Sequence, residues 1–180
     1  MTRGAGDGVD VWHEADRLYA AREAVAEASA GGKRIGVAEL VRFLSDSCNE
    51  LTVEAQRALF ASPRLRADFQ TLKARLRMIE LPVVAAASAG RVTSRAFPGG
   101  SARVHPARRE GQVYVVFEFE DPTVAPGALL LEDASCIAKR PLPAPDALGQ
   151  VVLVMDRSDA RDALFLQLLA DPMATGSFLP

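Results

Sequence analysis

Two cysteines, Cys48 and Cys136, and two histidines, His13 and His105, are the side chains of this chain best suited to ligate a metal or to act as nucleophiles. A metal centre needs ligands that converge, such as a CxxC pair or a second histidine or carboxylate at ligand spacing, and none of the four has one nearby. No metal and no cofactor is expected. Nucleophilic catalysis needs a Ser or Cys beside a base, and no Gly-x-Ser-x-Gly turn occurs. Cys48 lies in register with Leu40 and Leu44, and Cys136 sits in a strand-like run, so both are expected to be buried thiols. The histidines read as surface or capping groups. The carboxylate pairs Glu118 with Glu120 and Glu132 with Asp133 fall at strand ends and turns, where solvated acids are common, and suggest no acid–base dyad. Gly4-Ala5-Gly6-Asp7-Gly8 looks like a phosphate loop, but no strand precedes it, so a flexible terminus is expected. No catalytic residue emerges.

Chemistry is better suggested by charge. The 180 residues are 49% hydrophobic and 24% charged with a net charge of −2, which disfavours disordered, collagenous and disulfide-scaffold classes. Residues 1–54 carry 6 basic and 10 acidic side chains, 57–109 carry 11 and 2, and 110–180 carry 4 and 11. A near-neutral total thus hides a basic middle between acidic ends. Clustered arginines fork to carboxylate or phosphate, so 57–109 could face an acidic partner or nucleic acid. The plainer alternative is a solvated helix face neutralised by the acidic third of the same chain. Aromatics make up only 6% of the residues and few interleave with these arginines, which disfavours a single-strand stacking platform.

The elements that must position these groups follow from periodicity. Val11, Ala15, Leu18, Ala21, Val25 and Ala28 predict a helix over 10–30 that stops at Gly31-Gly32. Val37, Leu40, Val41, Leu44 and Cys48 predict a second, ending near Asn49. Thr52 can cap a third through Phe60, and Ser62 with Pro63 at the first helical position can open a fourth. The fourth carries a seam of Leu65, Phe69, Leu72, Leu76 and Ile79 among basic residues, and Pro82 is expected to end it. Beyond it the period changes to two: Val113, Val115, Phe117 and Phe119 alternate with Tyr114, Val116 and Glu118. Shorter strands are expected at 83–87, 91–97, 102–105, 128–132, 136–140 and 150–155, with turns at Pro98-Gly99-Gly100, Asp121-Pro122, Pro126-Gly127 and Asp133-Ala134-Ser135. Their short spacing favours antiparallel pairing. Ser158 or Asp156 can cap a last helix that buries Leu164, Phe165, Leu168 and Leu169. The apolar tail Phe178-Leu179 is expected to dock, with a contact between molecules favoured.

The run from Leu40 to Phe69 resembles the helical domain of bacterial anti-sigma factors, in which a helix ending in an acidic turn is followed by an amphipathic helix, a proline-containing break and a further helix. In that family the break often carries a zinc-binding CxxC preceded by a histidine; here the corresponding run is Ser62-Pro63-Arg64-Leu65, without ligands. The resemblance implies a helical module that binds a protein partner.

The expected fold is α+β: a four-helix region over 1–81, then an antiparallel β-sandwich-like domain over 82–180 closed by a C-terminal helix. The expected function is that of a non-enzymatic regulatory or assembly module. Its partner is another protein, acidic in character, met by Arg64, Arg66, Arg75, Arg77, Phe178 and Leu179. The alternatives are an enzyme or ligand-binding protein with a site between the two regions, and nucleic-acid binding through 57–109. Self-association is compatible with all three. No stretch approaches the ~18 apolar residues of a membrane span, and residues 1–15 lack a leader's apolar core, so a cytoplasmic location is expected.

Overall fold

Helix punctuation near the start of the described chain follows local chemistry. A computed structural model describes residues 35–83 and 93–180, and all elements below lie in the unit Val37–Pro180. Helix α1 (Val37–Ser45) buries Leu40, Phe43 and Leu44. Thr52 caps α2 (Val53–Ala61), its hydroxyl accepting from the Ala55 N–H at 3.1 Å, and Ser62 accepts from the Leu65 N–H at 3.3 Å to open α3 (Pro63–Leu76) with proline where no intrahelical donor is needed. Helix α3 does not run on to Pro82: it stops at Leu76, and Ile79–Leu81 leave as strand β1 because they pair with the C-terminal strand. The expected division at residue 81 therefore falls at the end of a strand. The helix expected over 10–30, His13, the Gly4–Gly8 run and most of the strand expected at 83–87 lie outside the described residues.

The remaining strands are β2 (Ser94–Phe97), β3 (Gly100–Pro106), β4 (Gln112–Phe119), β5 (Ala128–Glu132), β6 (Ile137–Pro141), β7 (Gln150–Asp156) and, after helix α4 (Ala160–Ala170), β8 (Thr175–Leu179). They form two four-stranded antiparallel sheets, ordered β1-β8-β5-β6 and β2-β3-β4-β7. The fold is thus α+β. Of the four helices expected before the sheets, three lie among the described residues, and α4 follows β7. Gly99, at a φ of 81°, makes the tight turn that sets Phe97 opposite Gly100.

Both sheets feed one core. Val115, Phe117 and Phe119 of β4 meet Leu129 and Leu131 of β5, Phe178 of β8 and Phe165, Leu168 and Leu169 of α4. The Phe178 ring lies 4.9 Å from Phe97, 5.7 Å from Phe117 and 5.4 Å from Phe119, the last two edge-to-face, a geometry that adds roughly 0.5–1.5 kcal/mol per pair to burial itself. Gly176 lets β8 run this close: a Cβ there would stand 2.8 Å from Leu81 Cβ. Every residue of β5 is buried, because Leu129 and Leu131 face this core while Leu130 and Glu132 face the helices. That face is latched by a buried ion pair between Lys73 of α3 and Glu132, to which Gln70 Nε2 also donates at 3.0 and 3.2 Å. Among the described residues, no helix is long and apolar enough to cross a membrane.

Candidate partner-binding groove

The arginines singled out in the sequence do not form one patch. Arg64 and Arg75 are exposed, but Arg66 donates to the carbonyls of Asp133 at 3.1 Å and Ala134 at 3.3 Å and stacks 4.6 Å from the Phe60 ring centroid. Arg77 pairs with Glu80 at 2.6 Å. Nine to thirteen positions along α3 separate the two ends, roughly 14–20 Å at 1.5 Å per residue. Arg66, Lys73 and Arg103 of the basic stretch meet the chain's own acidic third, through the Asp133 turn, Glu132 and Glu118.

Phe178 and Leu179 require a correction. Both are fully buried, in a strand flanked by β1 and β5, so the tail completes its own sheet and presents neither side chain to a partner. Cys48 also departs from expectation: α1 ends at Ser45, which leaves Cys48 exposed in the following turn, while Cys136 is half-buried. His105 is exposed on β3, and no cluster of metal-ligating side chains occurs among the described residues. The carboxylates serve structure. Glu118 pairs with Arg103, and Asp133 accepts from the N–H groups of Ser135 and Cys136.

A groove does form where the α1–α2 corner meets β6 and α4. It encloses about 430 Å3, within the range of ligand sites. The Thr52 cap fixes one wall and sets Leu51 and Val53 along it, Val53 remaining 59% exposed. Lys139 of β6 reaches across to the C-terminal end of α1, where its ammonium donates to the carbonyls of Phe43 and, at 2.7 Å, Asp46, and lies 4.3 Å from the Phe43 ring centroid. A cation is favoured there by the negative end of the helix dipole. Burial nevertheless lowers the Lys139 pKa from 10.5 to about 8, opposed by Asp46, Cys48 and Glu50. The other wall belongs to α4. Asp159 caps that helix by accepting from the Arg161 and Asp162 N–H groups, and Asp162 pairs with Arg140 of β6. Arg161, 69% exposed at its side chain, meets Glu50 at 2.9 Å.

The floor is the edge strand β6, with Ile137 buried and Ala138, Lys139 and Arg140 half-buried. β6 is last in its sheet, and Leu142 N–H donates to Gly127 O while Asp133 N–H donates to Cys136 O. With the β5–β6 register these bonds place the pairing groups of Ala138 and Arg140 toward β5 and those of Ile137 and Lys139 away from it. Among the described residues, no strand pairs with the outward N–H and C=O of Ile137 and Lys139, but Ile137 is only 2% exposed, so this edge is largely covered. The sequence carried a signal for this: Lys139-Arg140-Pro141 places two cations and a proline on one short strand, the composition of an edge.

Two further features do not line this groove. Arg95 of β2 is 2% exposed; its Nη2 donates to Pro82 O at 2.5 Å and Ala174 O at 2.7 Å, its Nε and Nη1 have no partner, and burial lowers its pKa despite Asp171. It joins the β1 side of one sheet to the edge of the other. On the outer face of the second sheet, Tyr114 stands opposite Val154 and Val116 opposite Val152, with Val152 49% and Val154 60% exposed. No protein family matches the chain, and no curated protein or solved structure matches it.

Proposed function

We propose that this chain is a non-enzymatic regulatory or assembly module of the cytoplasm that binds another protein, its two sheets stacked as a sandwich beneath helices α1–α3. The observation that supports this reading is the groove of about 430 Å3 at the α1–α2 corner, whose wall leaves Val53 59% exposed. A concave surface with an exposed apolar side chain on its wall is a place for a partner to dock. The resemblance of residues 40–69 to bacterial anti-sigma helical domains agrees with a partner-binding role for these helices. A photo-crosslinking residue at Val53, in the groove wall, should capture a protein in the native host, while one at Leu148, which is 78% exposed and outside the groove, should not.

The groove lies between the helices and the β region, which also favours a second reading as a ligand-binding site for a small anion. Native mass spectrometry of protein purified from its host separates the two: a retained small molecule, with no crosslink at Val53, supports the second. Nucleic-acid binding through 57–109 would instead appear as micromolar binding of arbitrary duplex or single-stranded DNA with a steep salt slope.

A further inference from the structure

Away from the groove, the face of the second sheet that is turned from the core has the make-up of an interface: we infer that it receives the same face of a second copy of this chain, the two sheets packing face to face about a two-fold axis. An antiparallel sheet with one wet face normally sets apolar residues inward and polar ones outward, and β4 and β7 depart from that rule. Val113, Val115, Phe117, Val151 and Met155 are buried in the core as expected, but Tyr114, Val116, Val152 and Val154 point the other way. The register gathers these four into one block, Tyr114 beside Val154 and Val116 beside Val152, and Tyr114, Val152 and Val154 are 38%, 49% and 60% exposed. Single apolar residues on a surface need no explanation, whereas a contiguous block with a polar rim has the anatomy of an interface centre. The rim lies on three sides: Arg103 and His105 of β3 flank the block, Glu118 and Gln150 close one end, and Gln112 and Asp156 close the other.

A partner reaches this face rather than the edge of the sheet. β7 is the last strand, but its outward groups are taken at both ends: Asp146 donates its N–H to Gln150 O and accepts from Gln150 N–H, while Asp156 N–H donates to Asp162 and Asp159 N–H to Asp156 O. These segments stand where an added strand would run. Charge then selects the partner. The rim holds both signs, so a uniformly acidic or basic surface would meet like charge on it. A second copy does not: with the two-fold axis crossing the strands between the Tyr114 and Val116 rows, Val116 faces Tyr114 of the second copy and Val152 faces its Val154. Glu118 then faces Gln112 and Asp156 faces Gln150, so each carboxylate meets an amide donor and no two carboxylates meet. Arg103 comes opposite His105 and keeps Glu118 of its own chain as its counter-ion. Three strands ~4.8 Å apart and four rows ~6.8 Å apart span roughly 14 by 27 Å, so two copies bury on the order of 1,000 Å2, the lower bound for a specific interface, and association in the micromolar range is expected.

The test is analytical ultracentrifugation of the full chain from about 1 to 500 µM, with a reductant present because the exposed Cys48 could otherwise cross-link copies. A reversible monomer–dimer equilibrium is expected, little changed by sodium chloride and strengthened by sulfate, as apolar contact requires. Val154→Lys should weaken the dimer about tenfold or more, and Val154→Thr, which keeps the β-branched shape, several-fold; melting followed by circular dichroism checks that both variants fold. The deciding arm mixes the Val152→Lys chain with the Val154→Glu chain. Each alone should be monomeric and the mixture should dimerise, because only a second copy turned about this axis sets the lysine against the glutamate. A monomer at every concentration, a dimer indifferent to Val154→Lys, or a mixture that stays monomeric overturns the inference. None of these outcomes bears on the groove, which the crosslink at Val53 tests.

Discussion

Replacing Lys73 with Met tests whether the helices are latched to the sheet as the structure describes. The Lys73 and Glu132 side chains are only 10% and 9% exposed, and the carboxylate has one other donor, Gln70 Nε2. Removing one partner of a buried pair costs about 3–5 kcal/mol, because the remaining charge stays desolvated. Gln70 still donates to Glu132, which sets the expectation at the low end, about 3 kcal/mol. For a chain of this length that corresponds to a fall of about 10 °C in Tm. The double variant Lys73→Met/Glu132→Leu removes both charges, so its stability should return to within about 1 kcal/mol of the parent. Urea unfolding followed by circular dichroism measures all three proteins, with Glu132→Leu completing the cycle. A Lys73→Met loss below about 1 kcal/mol would refute the reasoning, since it would mean that Glu132 is hydrated and that the latch does not hold α3 on β5.

Phe178→Ala should cost about 3–5 kcal/mol, and deletion of residues 175–180 should abolish cooperative unfolding, because β8 lies between β1 and β5; a folded truncated protein by calorimetry would contradict this. Arg95→Ala should cost about 3 kcal/mol by urea unfolding, from the cavity it leaves and the carbonyls of Pro82 and Ala174 it strands, and a neutral result would show that those carbonyls find other donors. Lys139 titrates at about 8 in the folded chain against its ordinary 10.5, so between these values the unfolded chain binds a proton that the native chain has released. Stability attributable to this group therefore rises with pH across that window, by about 1–2 kcal/mol once solvent screening is discounted. Lys139→Met should flatten the rise, and parallel stability curves for the two proteins from pH 7 to about 10.5 would refute the assignment.

The sequence by itself determined those elements whose reasons are local. Thr52, Ser62 and Pro63 set helix starts because a cap needs only its own next turn, and β4 was legible because one face of it is buried and the other wet. Neutralisation of residues 57–109 by the acidic third of the chain was one of two readings the sequence left open, and Lys73 with Glu132 and Arg103 with Glu118 realise it in part. Strands β1 and β8 were illegible. Three residues carry no period, and β8 is covered on both faces, so Phe178 and Leu179 read as a loose apolar tail rather than as a central strand. Cys48 kept helical register with Leu40 and Leu44 past the point where α1 ends, so periodicity buried a thiol that the turn exposes. The groove was decided by tertiary structure alone, since Lys139 meets the carbonyls of Phe43 and Asp46, and Arg161 meets Glu50, across separations of 93 to 111 positions. Local rules act over one or two turns of chain, whereas a groove and the charges around it exist only once distant segments have packed.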